Sequence, residues 1–197
     1  LFQKFMKLCA GRTGQIINSS GLAEDTGINY KTAQEWISLL ESSYILFRLP
    51  PYFSNISKRL IKSPKLYFHD TGLAANLLGI EEVQQIETHR LRGALFENLV
   101  ISEVMKHRLN QGKRPNLSFF RDAKGHEVDL LIHQANKMIP VEIKSAATVR
   151  SDFFKGINYF NKHIQPCDKS ILVYDGDQNE ERSAAIITNA THIINWV

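Results

Sequence analysis

The sequence predicts a mixed α/β (α+β) protein in which an N-terminal helical module precedes a sheet-centred half. Three observations predict it. Apolar residues recur at helical spacing through residues 2–43 and again over 91–108. Two β-rich runs, 126–133 and 138–144, are joined only by Gln134-Ala135-Asn136-Lys137. A further strand-like run, Ser170–Tyr174, follows a helical stretch marked by Phe153, Phe154, Ile157 and Phe160, with Asp152 near its start.

The elements follow in order. Phe2–Ala10 reads as a short amphipathic helix. Ser19 or Ser20 is placed to cap Leu22–Thr26, and Gly27 suits the turn that ends it. Asn29, Tyr30, Lys31 and Thr32 open a second helix that runs to Ser43, with Ala33, Trp36, Ile37 and Leu40 facing inward. Helix, glycine turn, helix is the helix-turn-helix pattern. Tyr44–Leu49 and Leu66–Phe68 complete it as wing strands, and residues 54–62 form a polar, basic wing between them. Residues 1–65 hold nine Lys and Arg against four Asp and Glu, so the positive excess of the chain belongs there. That is where a DNA-facing surface is expected. On that reading Asn29, Tyr30, Lys31 and Thr32 begin the recognition helix, and Lys58, Arg59 and Lys62 contact phosphates. The alternative is a winged helix that docks protein. Trp36 is read as core in either case. Asp70, before Thr71-Gly72 and a short helix over Leu73–Leu78, is read as a cap or a bridge.

The chemistry concentrates further on. A hairpin with Ala135-Asn136 at its tip pairs residues whose numbers sum to 271, so Asp129 lies opposite Glu142. Alternation then puts Val128, Leu130 and Ile132 on one face with Ile139, Val141 and Ile143. Asp129, Glu142 and Lys144 share the other. Facing carboxylates repel, and a divalent cation removes that penalty. Mg²⁺ prefers hard oxygen ligands, and bound metal acidifies water and stabilises charge on a phosphate. Lys144 beside it is placed to orient water or neutralise the developing charge. Glu97, on the apolar row of the 91–108 helix, adds a third carboxylate that needs a partner or a metal. The plainer readings are a cross-strand ion pair on a solvated hairpin, and a Glu97 that reaches water from the stripe edge. Arg121 and Lys124 are placed either to touch substrate phosphate or to pair with Asp122 or Glu127.

Residues 93–100 (Gly-Ala-Leu-Phe-Glu-Asn-Leu-Val), Phe119-Phe120-Arg121-Asp122, Glu127-Val128-Asp129 and Pro140-Val141-Glu142-Ile143-Lys144 resemble the PD-(D/E)xK nuclease superfamily. Residues 66–73 (Leu-Tyr-Phe-His-Asp-Thr-Gly-Leu) resemble the signature of the DUF4143 domain, found at the C-terminus of AAA+ ATPases. The pattern read above places a winged helix-turn-helix over 1–68 and a helical connector over 69–90, and the resemblance implies a restriction-endonuclease-like α-β-β-β-α-β core over 91–197. It implies Glu97, Asp129 and Glu142 as ligands of Mg²⁺ or Mn²⁺, and Lys144 as the catalytic lysine. No proline precedes Asp129 in the position that names the superfamily.

The remaining features set bounds. There is no run of eighteen apolar residues, so no membrane partner is expected. Cys9 and Cys167 lie apart with no CxxC and read as reduced core thiols of a cytoplasmic protein. The seven histidines show no zinc spacing. No GxxxxGK[ST] is present, so ATP enters only through a module outside this sequence. The first residue is not Met, which reads as a fragment. Two functions follow: a Mg²⁺- or Mn²⁺-dependent nuclease acting on DNA, or a non-catalytic DNA- or protein-binding effector module of an AAA+ ATPase, with oligomeric state open. A metal-free pocket with Lys144 salt-bridged to Glu142 and no cleft for a duplex is the feature expected of the second.

Overall fold

The computed structural model describes residues 1–52, 63–135 and 137–197. The wing over 54–62, with Lys58, Arg59 and Lys62, lies outside the described residues. The chain packs as two compact units. One comprises Leu1–Leu49 and Ser63–Ser102; the other comprises Glu103–Val197 together with residues 50–52.

The first unit opens with helices α1 (Phe2–Ala10), α2 (Ser19–Thr26) and α3 (Tyr30–Ser42). The side chain capping α2 belongs to Asn18, which accepts the Gly21 N–H at 3.0 Å, not to Ser19 or Ser20. The helix simply begins one turn earlier than its apolar residues announce. Gly27 ends α2 in the left-handed region at φ 85°, where only glycine is comfortable. Asn29 caps α3 by accepting the Thr32 N–H at 2.8 Å. Ala33, Ile37 and Leu40 are buried, while Trp36 packs edge-on against Phe2 and Phe5.

Strands β1 (Leu46–Leu49) and β2 (Lys65–Phe68) pair antiparallel as a two-stranded sheet. Two short helices follow, α4 (Thr71–Leu77) and α5 (Val83–Thr88), then the long α6 (Arg92–Asn110). Asp70 is the N-cap of α4, accepting the Leu73 N–H at 3.0 Å.

The second unit is built on a six-stranded mixed sheet. Its strands are β3 (Leu117–Arg121), β4 (Glu127–Gln134), β5 (Lys137–Lys144), β6 (Ile171–Tyr174), β7 (Glu180–Glu181) and β8 (Ile186–Asn189). Their order is β3-β4-β5-β6-β8-β7. Helix α7 (Lys155–His163) connects β5 to β6, and those strands run parallel, as a helical crossover requires. It packs on β4 and β5. The element order from α6 to β6 is helix, three strands, helix, strand.

The β4–β5 register is the expected one: Leu130 faces Val141, Ile132 faces Ile139 and Gln134 faces Lys137. Ala135 carries the positive φ, 47°, that a two-residue hairpin loop demands. The simple alternation of faces does not hold. Ser118 pairs with Leu131 but Phe120 pairs with Val128, so Asp129 and Leu130 together oppose Phe119. This is a β-bulge, which re-aims the side chains around it. Val128 leaves the Leu130 set and joins Leu131, Phe120, Met138 and Phe160 in one apolar cluster. Residues 128–132 and 138–143 are buried without a break, so both faces of these strands are covered.

Candidate functional site

The bulge falls at Asp129, the first of the three residues that the hairpin brings together. Asp129 is only 8% exposed, and its Oδ2 accepts the Ile143 N–H at 2.8 Å. Lys144 Nζ lies 2.6 Å from Glu142 Oε1 and 3.5 Å from Asp129 Oδ2. The second oxygen of Glu142, Oε2, is buried and has no hydrogen-bond partner among the described residues. A buried carboxylate oxygen left bare is costly.

Gly156, in the first turn of α7, closes over this oxygen. A Cβ there would sit 2.8 Å from Glu142 Oε2 and 2.1 Å from the Glu127 carbonyl oxygen. Only glycine lets the helix approach so closely.

The electrostatics show the same shortage of positive charge. Burial, and then the charge of Asp129, push the Glu142 carboxyl from its ordinary 4.5 up to about 8, against the pull of Lys144. Burial works against the charge on Lys144, but Asp129 and Glu142 outweigh it and hold the ammonium protonated beyond its usual range. Two buried carboxyl groups thus share one ammonium, and without a further cation Glu142 keeps its proton. The remaining oxygen is a hard donor with nothing to bind, and that suits a cation such as Mg²⁺, which takes one or two carboxylates and keeps several waters. Among the described residues, no group of three or more His, Cys, Asp and Glu side chains is disposed to hold a metal.

Glu97 is engaged within the first unit. Its Oε1 accepts from Lys65 Nζ at 2.9 Å and from the Tyr67 hydroxyl. Lys65 is 3% exposed, so the ion pair answers the burial of both charges. Next to it, Asn98 is buried and fully satisfied. Its Oδ1 accepts from Thr13 Oγ1 and the Phe68 N–H, and its Nδ2 donates to the Phe68 carbonyl and Thr71 Oγ1. It ties α6 to β2 and to the start of α4. Sequence reasoning passed over Asn98; a polar residue among the buried positions of an amphipathic helix was the available signal.

Of the residues expected to face DNA, Asn29 is spent on its cap, and Thr32 gives its N–H to that cap. Tyr30 is half-exposed, and its hydroxyl accepts from Gln34 at 2.8 Å. Lys31 is exposed near Glu35. Arg121 lies 3.5 Å from Glu127, the ion-paired alternative of the sequence reading. Both cysteines are free thiols; Cys9 is buried, and Cys167 is only partly so.

The family profile described as domain of unknown function (DUF4143) matches residues 92–193. The chain belongs to the DUF4143 family. That span carries Glu97, Asp129, Glu142 and Lys144, so the whole hairpin cluster lies in the DUF4143 segment. A second profile, domain of unknown function (DUF8612), matches residues 1–84. Two curated relatives are similar at 32% identity over 136 residues: the uncharacterized protein Mb2031c of Mycobacterium bovis and the uncharacterized protein Rv2008c of Mycobacterium tuberculosis. The match covers 68% of this chain but spans only 30% of each relative's length. No helix among the described residues of this DUF4143 protein is long and apolar enough to cross a membrane.

Proposed function

We infer that the second unit is a cation-dependent phosphodiesterase of the PD-(D/E)xK type, acting on DNA. One observation carries the reading: the buried, unpartnered Oε2 of Glu142, beside Asp129 and Lys144. Asp129 and Glu142 would hold Mg²⁺ or Mn²⁺, which supplies an acidified water and screens charge on the phosphate. Lys144 would release Glu142 Oε1 and turn its ammonium toward the substrate. The Ile143 N–H fixes Asp129 Oδ2, so that carboxylate is oriented before anything binds. The order of elements from α6 to β6 supports a restriction-endonuclease-like core. Glu97 keeps Lys65 and Tyr67, and the proposed site does not rest on it.

For the first unit the proposal is a winged helix-turn-helix that binds DNA through the start of α3, as part of an AAA+ ATPase-type protein. Its support is the α2–Gly27–α3 geometry and the exposed Tyr30 and Lys31 ahead of a two-stranded sheet.

A second reading has its own observation. The 2.6 Å Lys144–Glu142 pair puts an ammonium where a nuclease needs a cation. On that reading the unit is a non-catalytic docking module. Cleavage of supercoiled and single-stranded DNA in Mg²⁺ or Mn²⁺ separates the two. Metal-dependent nicking by the wild type, lost in Asp129→Ala and Lys144→Ala, supports the nuclease. Salt-dependent DNA binding without nicking sinks it and leaves the docking module.

A further inference from the structure

The turn between β3 and β4 holds a histidine that the cluster above does not use. Asp122 organises that turn. Its Oδ1 accepts the N–H groups of Lys124 and His126 at 2.8 and 3.0 Å. Its Oδ2 takes His126 Nδ1 at 2.9 Å and the Tyr159 hydroxyl at 3.0 Å. Burial works against the charge of Asp122, but the hydrogen bonds from His126, Tyr159 and Lys124 outweigh it and hold the carboxyl below its usual range. An ionised carboxylate only accepts, so the proton in this contact belongs to His126 Nδ1.

The ring is fixed a second time. It lies flat on Tyr159, with centroids 3.6 Å apart and planes 4° apart. The side chain is 40% exposed, and Nε2 has no partner among the described residues. A histidine with one nitrogen held by a carboxylate presents the other in a set direction.

Helix α7 touches both the hairpin cluster and the His126 turn. Gly156 lies against Glu142 Oε2, and Tyr159, three residues on, lies against His126. Residues three apart share a helix face, about 4.5 Å apart along the axis. That offset is on the scale of neighbouring phosphates of one nucleic-acid strand, which advance by about 3.4 Å along a duplex axis.

We propose that His126 is a second phosphodiester contact, its Nε2–H donating to a phosphate oxygen next to the phosphate held at Glu142 and Lys144. The placement of that neighbouring phosphate rests on the phosphodiesterase reading. Neutral His126 turns a lone pair toward the phosphate; the imidazolium turns a proton, while Asp122 balances its charge. Among the described residues, the other charged or titratable groups on the elements beside the ring include Lys124 and Glu127 on its own turn and strand, Arg121 on β3, and Tyr159 and His163 on α7. Glu127 is met by Arg121, and His163 is tilted against the Tyr159 ring.

The test is binding of a short single-stranded oligonucleotide to the full chain in EDTA, where nothing is cleaved. Fluorescence anisotropy is read from pH about 5.5 to about 7.5. The wild type is expected to bind about tenfold more tightly at the acid end, the worth of one charge-assisted hydrogen bond. His126→Gln, which donates but does not titrate, is expected to lose that pH dependence while its thermal midpoint stays put. On the wild type, the ¹⁵N resonance of His126 Nε2 is expected to move when the oligonucleotide is added. An unchanged pH dependence in His126→Gln, an Nε2 resonance that stays still under bound oligonucleotide, or no binding at all overturns the proposal. Failure of metal-dependent nicking with these signals intact would count against the hydrolysis alone.

Discussion

Replacing Glu142 with glutamine should make the metal-free protein more stable in mild alkali. The cause is the bare Oε2 and the raised carboxyl. Folded Glu142 holds its proton up to about pH 8, whereas the unfolded side chain releases it near 4.5. Between those values the folded state binds the extra proton, so raising the pH favours unfolding. The stability tied to this proton is fully present below pH 4.5 and is lost as pH rises through about 8. One pKa unit corresponds to about 1.4 kcal/mol. The loss across the whole range is therefore on the order of 5 kcal/mol. The substituted amide has nearly the same shape as the carboxyl and no charge to expose. Urea unfolding in EDTA, repeated from about pH 5 to about pH 8.5, reads this directly. The wild type should lose stability along the series, and Glu142→Gln should remove most of the slope. Adding Mg²⁺ at about a hundred times its dissociation constant should then restore about 2.7 kcal/mol to the wild type and little to the variant. A wild-type stability that stays flat over this range, or an equal slope in Glu142→Gln, would refute the reasoning.

Three further outcomes follow from contacts. Gly156→Ala should cost about 3 kcal/mol, because the new methyl meets the Glu127 carbonyl oxygen and Glu142 Oε2, and it should weaken Mg²⁺ binding by calorimetry as well. Asn98→Ala should cost about 3 kcal/mol in urea unfolding, since the Phe68 N–H and carbonyl lose their side-chain partner inside the core; an unchanged midpoint would show that water replaces it. Asp70→Ala should cost about 1 kcal/mol through the lost cap, and Asp70→Asn far less, since Asn caps as well.

Much of the fold was legible because it is local. The α1 boundaries, the Gly27 turn, the Asn29 start of α3 and the Asp70 cap are all fixed by residues within four positions of one another. The β4–β5 register was legible for the same reason, since a two-residue loop leaves one pairing. The bulge at Asp129 was not, because it depends on β3, a separate strand whose Phe119 meets two residues of β4. The meeting of Asp129, Glu142 and Lys144 was foreseen from the register. Their state was not: the bare Oε2 lies beside Gly156, which comes from α7, an element outside the hairpin.

Glu97 shows the same division from the other side. Its place on an apolar row announced that it needed a partner. Which partner answers, here Lys65 and Tyr67, is decided by β2, far upstream in the chain. Asn98, beside it, is spoken for by four groups from three segments. The sequence by itself determined the first three helices, the Gly27 turn, the Asp70 cap, the hairpin and the residue types gathered at its end, because propensity, capping and two-residue loops act over a few positions. Tertiary structure alone decided which charges are left uncompensated. Desolvation and pairing depend on every element that packs over a group, and those elements come from distant parts of the chain.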